Sequence, residues 1–132
     1  KGFYIHSKDK KGRPIKEVSP ITKNFIQTLN GNSGDDISDE DIIFRMMLPM
    51  LMESSRCLED NIVQTPIEID MGLIYGLGFP PFRGGIFRWA DSLGLDELLK
   101  RAEKLTSLEK IYEPTDQIRK MVHEGLLFHN II

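Results

Sequence analysis

Cysteine is nearly absent from this sequence. Cys57 stands alone, which excludes a disulfide within the chain and fits a reducing compartment, so a cytoplasmic location is expected. Histidine is scarce as well. His6, His123 and His129 are scattered, and without several convergent ligands no metal centre is expected. Ser54 and Ser55 offer hydroxyls near Cys57 but no neighbouring histidine, so a nucleophilic triad is unsupported. Neither charge dominates: a formal net charge of −3 gives no reason to expect nucleic acid or an anionic membrane as partner. No apolar run approaches the length of a membrane span. No period-two alternation of apolar and polar residues is found either, so no strand is expected, and no internal repeat is visible.

What the chain does have is concentrated in one stretch, Ile74 to Trp89. Four of the 11 glycines, two of the 7 prolines, three of the 7 phenylalanines and the sole tryptophan lie there. Glycine reaches backbone conformations closed to other residues, and proline fixes φ and removes a donor. Clustered with aromatics, they describe a rigid apolar loop packed against something. Gly76-x-Gly78 does not begin a dinucleotide fingerprint, because Pro81 occupies the third glycine position and a helix, not a strand, precedes it. Arg83-Gly84-Gly85 lies just ahead of a short helix, where free N–H groups attract anions; close packing around small residues is the alternative.

The rest reads as helices. Residues 1–19 are polar and locally basic, with Lys8 to Pro14 as an exposed turn in a solvated linker. Pro20 to Leu29 forms a helix with Ile21, Phe25, Ile26 and Leu29 on one face, and Gly31 to Asp36 breaks the chain as a polar loop. Ser38 caps the longest helix, with Asp39, Glu40 and Asp41 in its first turn. Ile43, Met46, Met47, Met50, Leu51 and Ser54 give its apolar face, and Pro49 kinks it without ending it. Five of the six methionines fall between Met46 and Met71, a stripe read as core. Cys57, within the same pattern, is read as buried packing.

Thr65-Pro66-Ile67-Glu68 opens the next helix with a capping box, and Ile67, Met71, Ile74 and Tyr75 are its apolar residues. A short helix from Ile86 ends at Gly94. Asp96 caps another, with Leu98, Leu99, Ala102 and Leu105 inward and Glu97 spaced to pair with Arg101. A last helix runs from about Thr115 to Glu124, with Ile118, Met121 and Val122 inward and Gly125 as its stop. Glu68 and Asp70, in the first turns of their helix, are read as structural carboxylates.

Four elements, in order and at fixed spacing, carry a resemblance: Arg45-x-x-x-Pro49-x-x-x-Glu53, Ile69-Asp70, Gly76-x-Gly78-x-Pro80 and Asp91-Ser92-Leu93-Gly94-Leu95-Asp96. From about Ile42 to Glu124 the chain resembles the C-terminal helical domain of L-3-hydroxyacyl-CoA dehydrogenases, best its second copy in bacterial multifunctional fatty-acid oxidation alpha subunits. The resemblance implies an all-α, compact helical domain of the 6-phosphogluconate dehydrogenase C-terminal-like type. Gly2-Phe3-Tyr4 resembles the close of the preceding repeat. Residues 1–19 would then be linker and tail of that repeat, residues 20–132 the second helical domain, and the chain a piece of a longer protein.

In that family a Rossmann domain carries NAD and the catalytic His and Glu, which this chain lacks. The longer protein would use NAD; this part would hold no cofactor and no catalytic residue. The active repeat has a substrate-contacting Asn directly before the Arg matched by Arg45, and here that position is Phe44, which cannot hydrogen-bond. The implied role is packing and substrate lining in a dehydrogenase that also bears an enoyl-CoA hydratase, acting on acyl-CoA and assembled with upstream dehydrogenase domains and a thiolase (beta) subunit. Tyr75 is the expected substrate contact, with a core tyrosine as the alternative. Gly78, Phe79, Pro80, Arg83 and Gly84 are the expected substrate or domain-interface loop. Two other roles compete: a stand-alone enzyme using the loop as an acyl-CoA pocket, which the missing nucleotide fold disfavours, and a helical module whose aromatic loop binds a partner subunit.

Overall fold

The computed structural model describes residues 2–30 and 37–130. The chain divides into two compact units, Lys1–Ile37 and Ser38–Ile132. The polar break expected at Gly31 to Asp36 lies outside the described residues.

The first unit corrects the expectation of no strands. Strands β1 (Tyr4–Lys8) and β2 (Pro14–Val18) pair antiparallel, with Tyr4 opposite Val18 and Lys8 opposite Pro14. Nearly every strand position is exposed, so neither face imposes the alternation that would reveal a strand. The turn between them is where the sequence put it. The Asp9 carboxylate accepts from the N–H groups of Lys11 and Arg13, both at 2.8 Å, and from Arg13 Nε at 2.7 Å. Helix α1 (Pro20–Asn30) follows as expected, tied to the hairpin by Thr22 Oγ1 donating to the Phe3 carbonyl. Its residues Ile21, Phe25, Ile26 and Leu29 are all exposed.

The second unit is helical: α2 (Asp39–Glu59), α3 (Pro66–Leu77), α4 (Ile86–Leu93), α5 (Leu95–Leu105) and α6 (Asp116–Glu124). Short 3₁₀ turns lie at Pro81–Arg83, Lys110–Tyr112 and Phe128–Asn130. Local signals set most of these ends. Ser38 accepts from Asp41 N–H, Glu68 accepts from the N–H groups of Gln64 and Thr65, Thr115 accepts from Ile118 N–H, and Gly125 ends α6. Asp96 is not the cap of α5. Gly94 takes that position and Asp96 sits in the first turn, where its charge still favours the helix dipole.

Helix α2 continues past Pro49 to Glu59 without ending, as expected. A proline at 49 removes the N–H that would have served the Arg45 carbonyl. The Tyr112 hydroxyl, from the 3₁₀ turn after α5, donates to that carbonyl at 3.3 Å instead. The freed acceptor is thus satisfied by tertiary structure, and the helix need not end.

The core is built on α2 and α4, with Leu48, Leu51, Met52, Ile86, Phe87 and Leu98 fully buried. Phe87 meets Phe128 with ring centroids 4.1 Å apart. Two faces differ from the sequence reading. On α2 the buried set is Leu48, Leu51, Met52, Ser54 and Ser55, while Ile43 and Met46 are exposed. Ser55 Oγ lies 2.7 Å from Thr115 Oγ1, and this hydroxyl pair lets a polar residue sit in the core. On α3 the buried residues are Ile69 and Asp70, while Ile67, Met71 and Tyr75 are exposed. A carboxylate shares the inward face of α3 with Ile69, and periodicity counts only apolar residues.

Candidate functional site

Two features of the second unit stand out: an apolar groove, and a histidine held between two carboxylates. The groove has a volume of about 380 Å³. Helix α2 supplies Ile43, Met46, Met47 and Met50, and α3 supplies Leu73 and Leu77. The loop after α3 adds Gly78, Phe79, Pro80 and Arg83, and α4 adds Trp89. The methionine stripe read as core therefore splits: Met52 is buried, Met47 and Met50 are half-buried against the core, and Met46 stands 70% exposed on the rim. Leu77 is 75% exposed beside it. Arg83 is the only charged side chain of the lining. Such a groove can bind and exclude water; it holds no acid–base pair.

The loop takes its shape from a chain of caps. Gly78, at φ 71°, closes α3, and Phe79 N–H turns back to the Leu73 carbonyl at 3.1 Å, which tucks the Phe79 ring inside. Gly85, before α4, has no side chain to cap that helix. Asp70 does so from α3: its carboxylate accepts from Phe87 N–H at 2.8 Å and Arg88 N–H at 3.3 Å. The approach is so close that a Cβ on Gly85 would lie 2.2 Å from Asp70 Cγ. The helix start at Arg83-Gly84-Gly85, weighed as an anion site against close packing, is thus filled by the protein's own carboxylate, and the packing reading holds.

One helix later the device repeats. Asp91 accepts from Phe128 N–H at 2.9 Å and His129 N–H at 3.1 Å, capping the last 3₁₀ turn. The His129 ring closes the circuit, with Nδ1 2.9 Å from Asp91 Oδ2 and Nε2 3.0 Å from Asp70 Oδ2. Asp70 and Asp91 were marked in the sequence as motif residues; His129 was set aside as isolated. Its partners are 38 or more residues away in the chain, so no local pattern could have revealed it. Burial pushes the Asp70 carboxyl above its ordinary value, against the pull of the Phe87 and Arg88 N–H groups and of His129.

Of the expected site residues, Gly78, Phe79, Pro80 and Arg83 come together on the groove. Gly84, at φ 75°, does not line it and instead packs against the Arg88 stem. Tyr75 is 80% exposed on α3 and outside the groove lining. Phe44 packs 6.1 Å from Trp89, ring to ring, under the Arg101 guanidinium at 3.9 Å. Arg101 in turn pairs with Glu97 at 2.7 Å and Glu40 at 2.9 Å. The position before Arg45 is therefore a hydrophobic and cation–π contact rather than a polar reading head. Among the described residues no group of three or more His, Cys, Asp or Glu is placed to hold a metal ion, and no helix is long and apolar enough to cross a membrane.

Comparison with known proteins agrees with this architecture. Residues 42–129 match the family described as 3-hydroxyacyl-CoA dehydrogenase, C-terminal domain. The fatty acid oxidation complex subunit alpha of Colwellia psychrerythraea is 50% identical over 127 residues, covering 95% of this chain and 17% of that protein. The subunit of the same name from Pseudomonas syringae pv. tomato is 46% identical over 128 residues, covering 97% of this chain and 18% of its own length. The chain thus spans less than a fifth of these curated relatives. With the Gly-Pro loop and the Asp91–Asp96 segment inside the matched region, which covers most of the chain, the chain belongs to the 3-hydroxyacyl-CoA dehydrogenase C-terminal domain family.

Proposed function

We propose that this chain is the second helical domain of a multifunctional fatty acid oxidation alpha subunit, and that it serves the dehydrogenase by packing and substrate lining without chemistry of its own. The observation that carries this reading is the groove. It is apolar, it has a single charged lining residue, and its rim residues Met46 and Leu77 lie open, as a surface built to be covered does. Upstream dehydrogenase domains of the longer protein are the natural cover, and they would bring NAD, the catalytic His and Glu, and the acyl-CoA substrate. A thiolase subunit as partner and a cytoplasmic setting follow from the same reading. Phe44 supports it, since a ring held between Trp89 and Arg101 leaves no polar group to orient a thioester. Tyr75, standing out from a stiff helix beside the loop, is the residue of this chain proposed to reach substrate.

Leu77→Glu tests the reading. Leu77 is 75% exposed here, so the change should shift the stability of the isolated chain by under ~0.5 kcal/mol. In the longer protein it should bury a charge at an apolar contact and lower NAD-dependent oxidation of 3-hydroxyacyl-CoA by roughly tenfold or more. The isolated chain should show no such turnover. Activity in the isolated chain, or an unaffected longer protein carrying Glu at 77, contradicts the proposal.

A further inference from the structure

The ring of His129 faces a carboxylate oxygen at each nitrogen, 2.9 Å on one side and 3.0 Å on the other. Each contact needs a hydrogen between nitrogen and oxygen. A neutral imidazole supplies only one, and an ionised carboxylate supplies none. The second hydrogen must sit either on the ring or on a carboxyl group, so the trio has to hold a proton more than neutral histidine and two carboxylates do. Water cannot substitute for it: the side chains of His129, Asp70 and Asp91 are only 11%, 4% and 7% exposed.

Among the described residues nothing else near the ring neutralises the two acids. From α3 it meets Asp70, and from α4 it meets Asp91. Arg88, the other charged residue of α4, gives Asp70 its backbone N–H while its residue is exposed. Glu68 of α3 is exposed and engaged by Gln64 and Thr65. The turn that carries the ring adds only Phe128 and Asn130. Among the described residues no Lys or Arg forms an ion pair with either carboxylate.

We propose that Asp70, His129 and Asp91 share this extra proton, and that it latches the C-terminal turn Phe128–Asn130 to the carboxylate that shapes the loop at Gly84–Gly85. The start of α4 and the C-terminal turn are then held together by a proton-dependent clasp. Loss of the proton sets a lone pair against a carboxylate, frees the turn from Asp70, and leaves Asp70 to hold α4 alone. The sign is fixed by linkage. Above pH ~6.5, where an ordinary imidazole has released its proton, a folded trio that keeps one binds more protons than the unfolded chain, so raising the pH weakens the fold, by up to a tenfold fall in the folding constant per pH unit while the proton is being lost. A carboxyl raised by burial acts in the same sense: its contribution is whole below the unfolded value and is lost as pH climbs through the folded one.

The test reads the proton directly. Nitrogen-15 NMR of the His129 ring in the folded chain, joined to carbonyl carbon-13 shifts of Asp70 and Asp91, should find two hydrogens across the two contacts. Urea unfolding should be repeated from about pH 6 to about pH 9, a range that brackets the ordinary imidazole value. The wild type should lose stability across it relative to His129→Gln, which can hydrogen-bond but cannot titrate. A single ring proton with both carboxylates ionised throughout the folded range overturns the proposal, as does an identical pH slope in the two proteins. If His129→Gln does not fold, the wild-type spectra decide alone.

Discussion

Gly85→Ala is the smallest change that should open the loop. Gly85 has φ 110° and ψ 178°, a region only glycine occupies without strain, and forcing a Cβ there costs about 1–3 kcal/mol. The added carbon would also lie 2.3 Å from Asp70 Cβ and Oδ1 and 2.2 Å from its Cγ, on a buried residue with no room to retreat. Moving Asp70 weakens its 2.8 Å bond from Phe87 N–H, a charge-assisted contact of roughly 1.5–3 kcal/mol. Together these give a loss of about 3–6 kcal/mol, against about 1–2 kcal/mol for Gly84→Ala, whose φ of 75° is ordinary left-handed backbone. The Cβ at 84 would meet Arg88 Cγ at 2.9 Å, on an exposed residue that can move aside. With a urea dependence of roughly 2 kcal/mol/M, the Gly85→Ala midpoint should fall about 1.5–3 M below wild type and well below that of Gly84→Ala. Coincident midpoints for the two variants would refute the claim that Asp70 is locked against Gly85.

Two other variants probe separate parts of the structure. Tyr112→Phe should cost about 0.5–1.5 kcal/mol in the native sequence and almost nothing beside Pro49→Ala, where residue 49 regains an N–H for the Arg45 carbonyl; additive losses in that double-mutant cycle would mean the hydroxyl does not serve the proline. Tyr75→Phe in the longer protein should lower kcat/KM for 3-hydroxyacyl-CoA by about 2- to 10-fold at unchanged melting temperature, because an 80% exposed ring carries little of the fold's stability; a lower melting point with intact kinetics would make the tyrosine structural.

Legibility in the sequence followed range. Ends written in neighbouring residues were readable: Ser38 before three acids, Thr65-Pro66 with Glu68, Gly94 after α4, and Thr115 with Gly125 around α6. The loop, expected to be packed, is buried between residues 76 and 83 only at Phe79, with Leu77 and Phe82 exposed, though four of its five named residues line the groove. Faces were less so. Met46 and Tyr75 keep helical spacing with apolar neighbours, yet they point away from the core because Asp70 and Ser55 claim inward positions through hydrogen bonds. The hairpin was missed because exposed strands have no apolar side to report. His129 was missed because its meaning lies in two carboxylates contributed by other helices.

The circuit through Asp70, Asp91 and His129 also has an order in time. A chain is made from its N-terminus, so both acids leave the ribosome before the imidazole, and 38 residues separate Asp91 from His129. At roughly 5–20 residues per second that interval lasts about 2–8 s. During it, α3 and α4 carry two carboxylates destined for the same buried place with no cation between them. The contacts from His129 to both acids can form only once the last turn has been made.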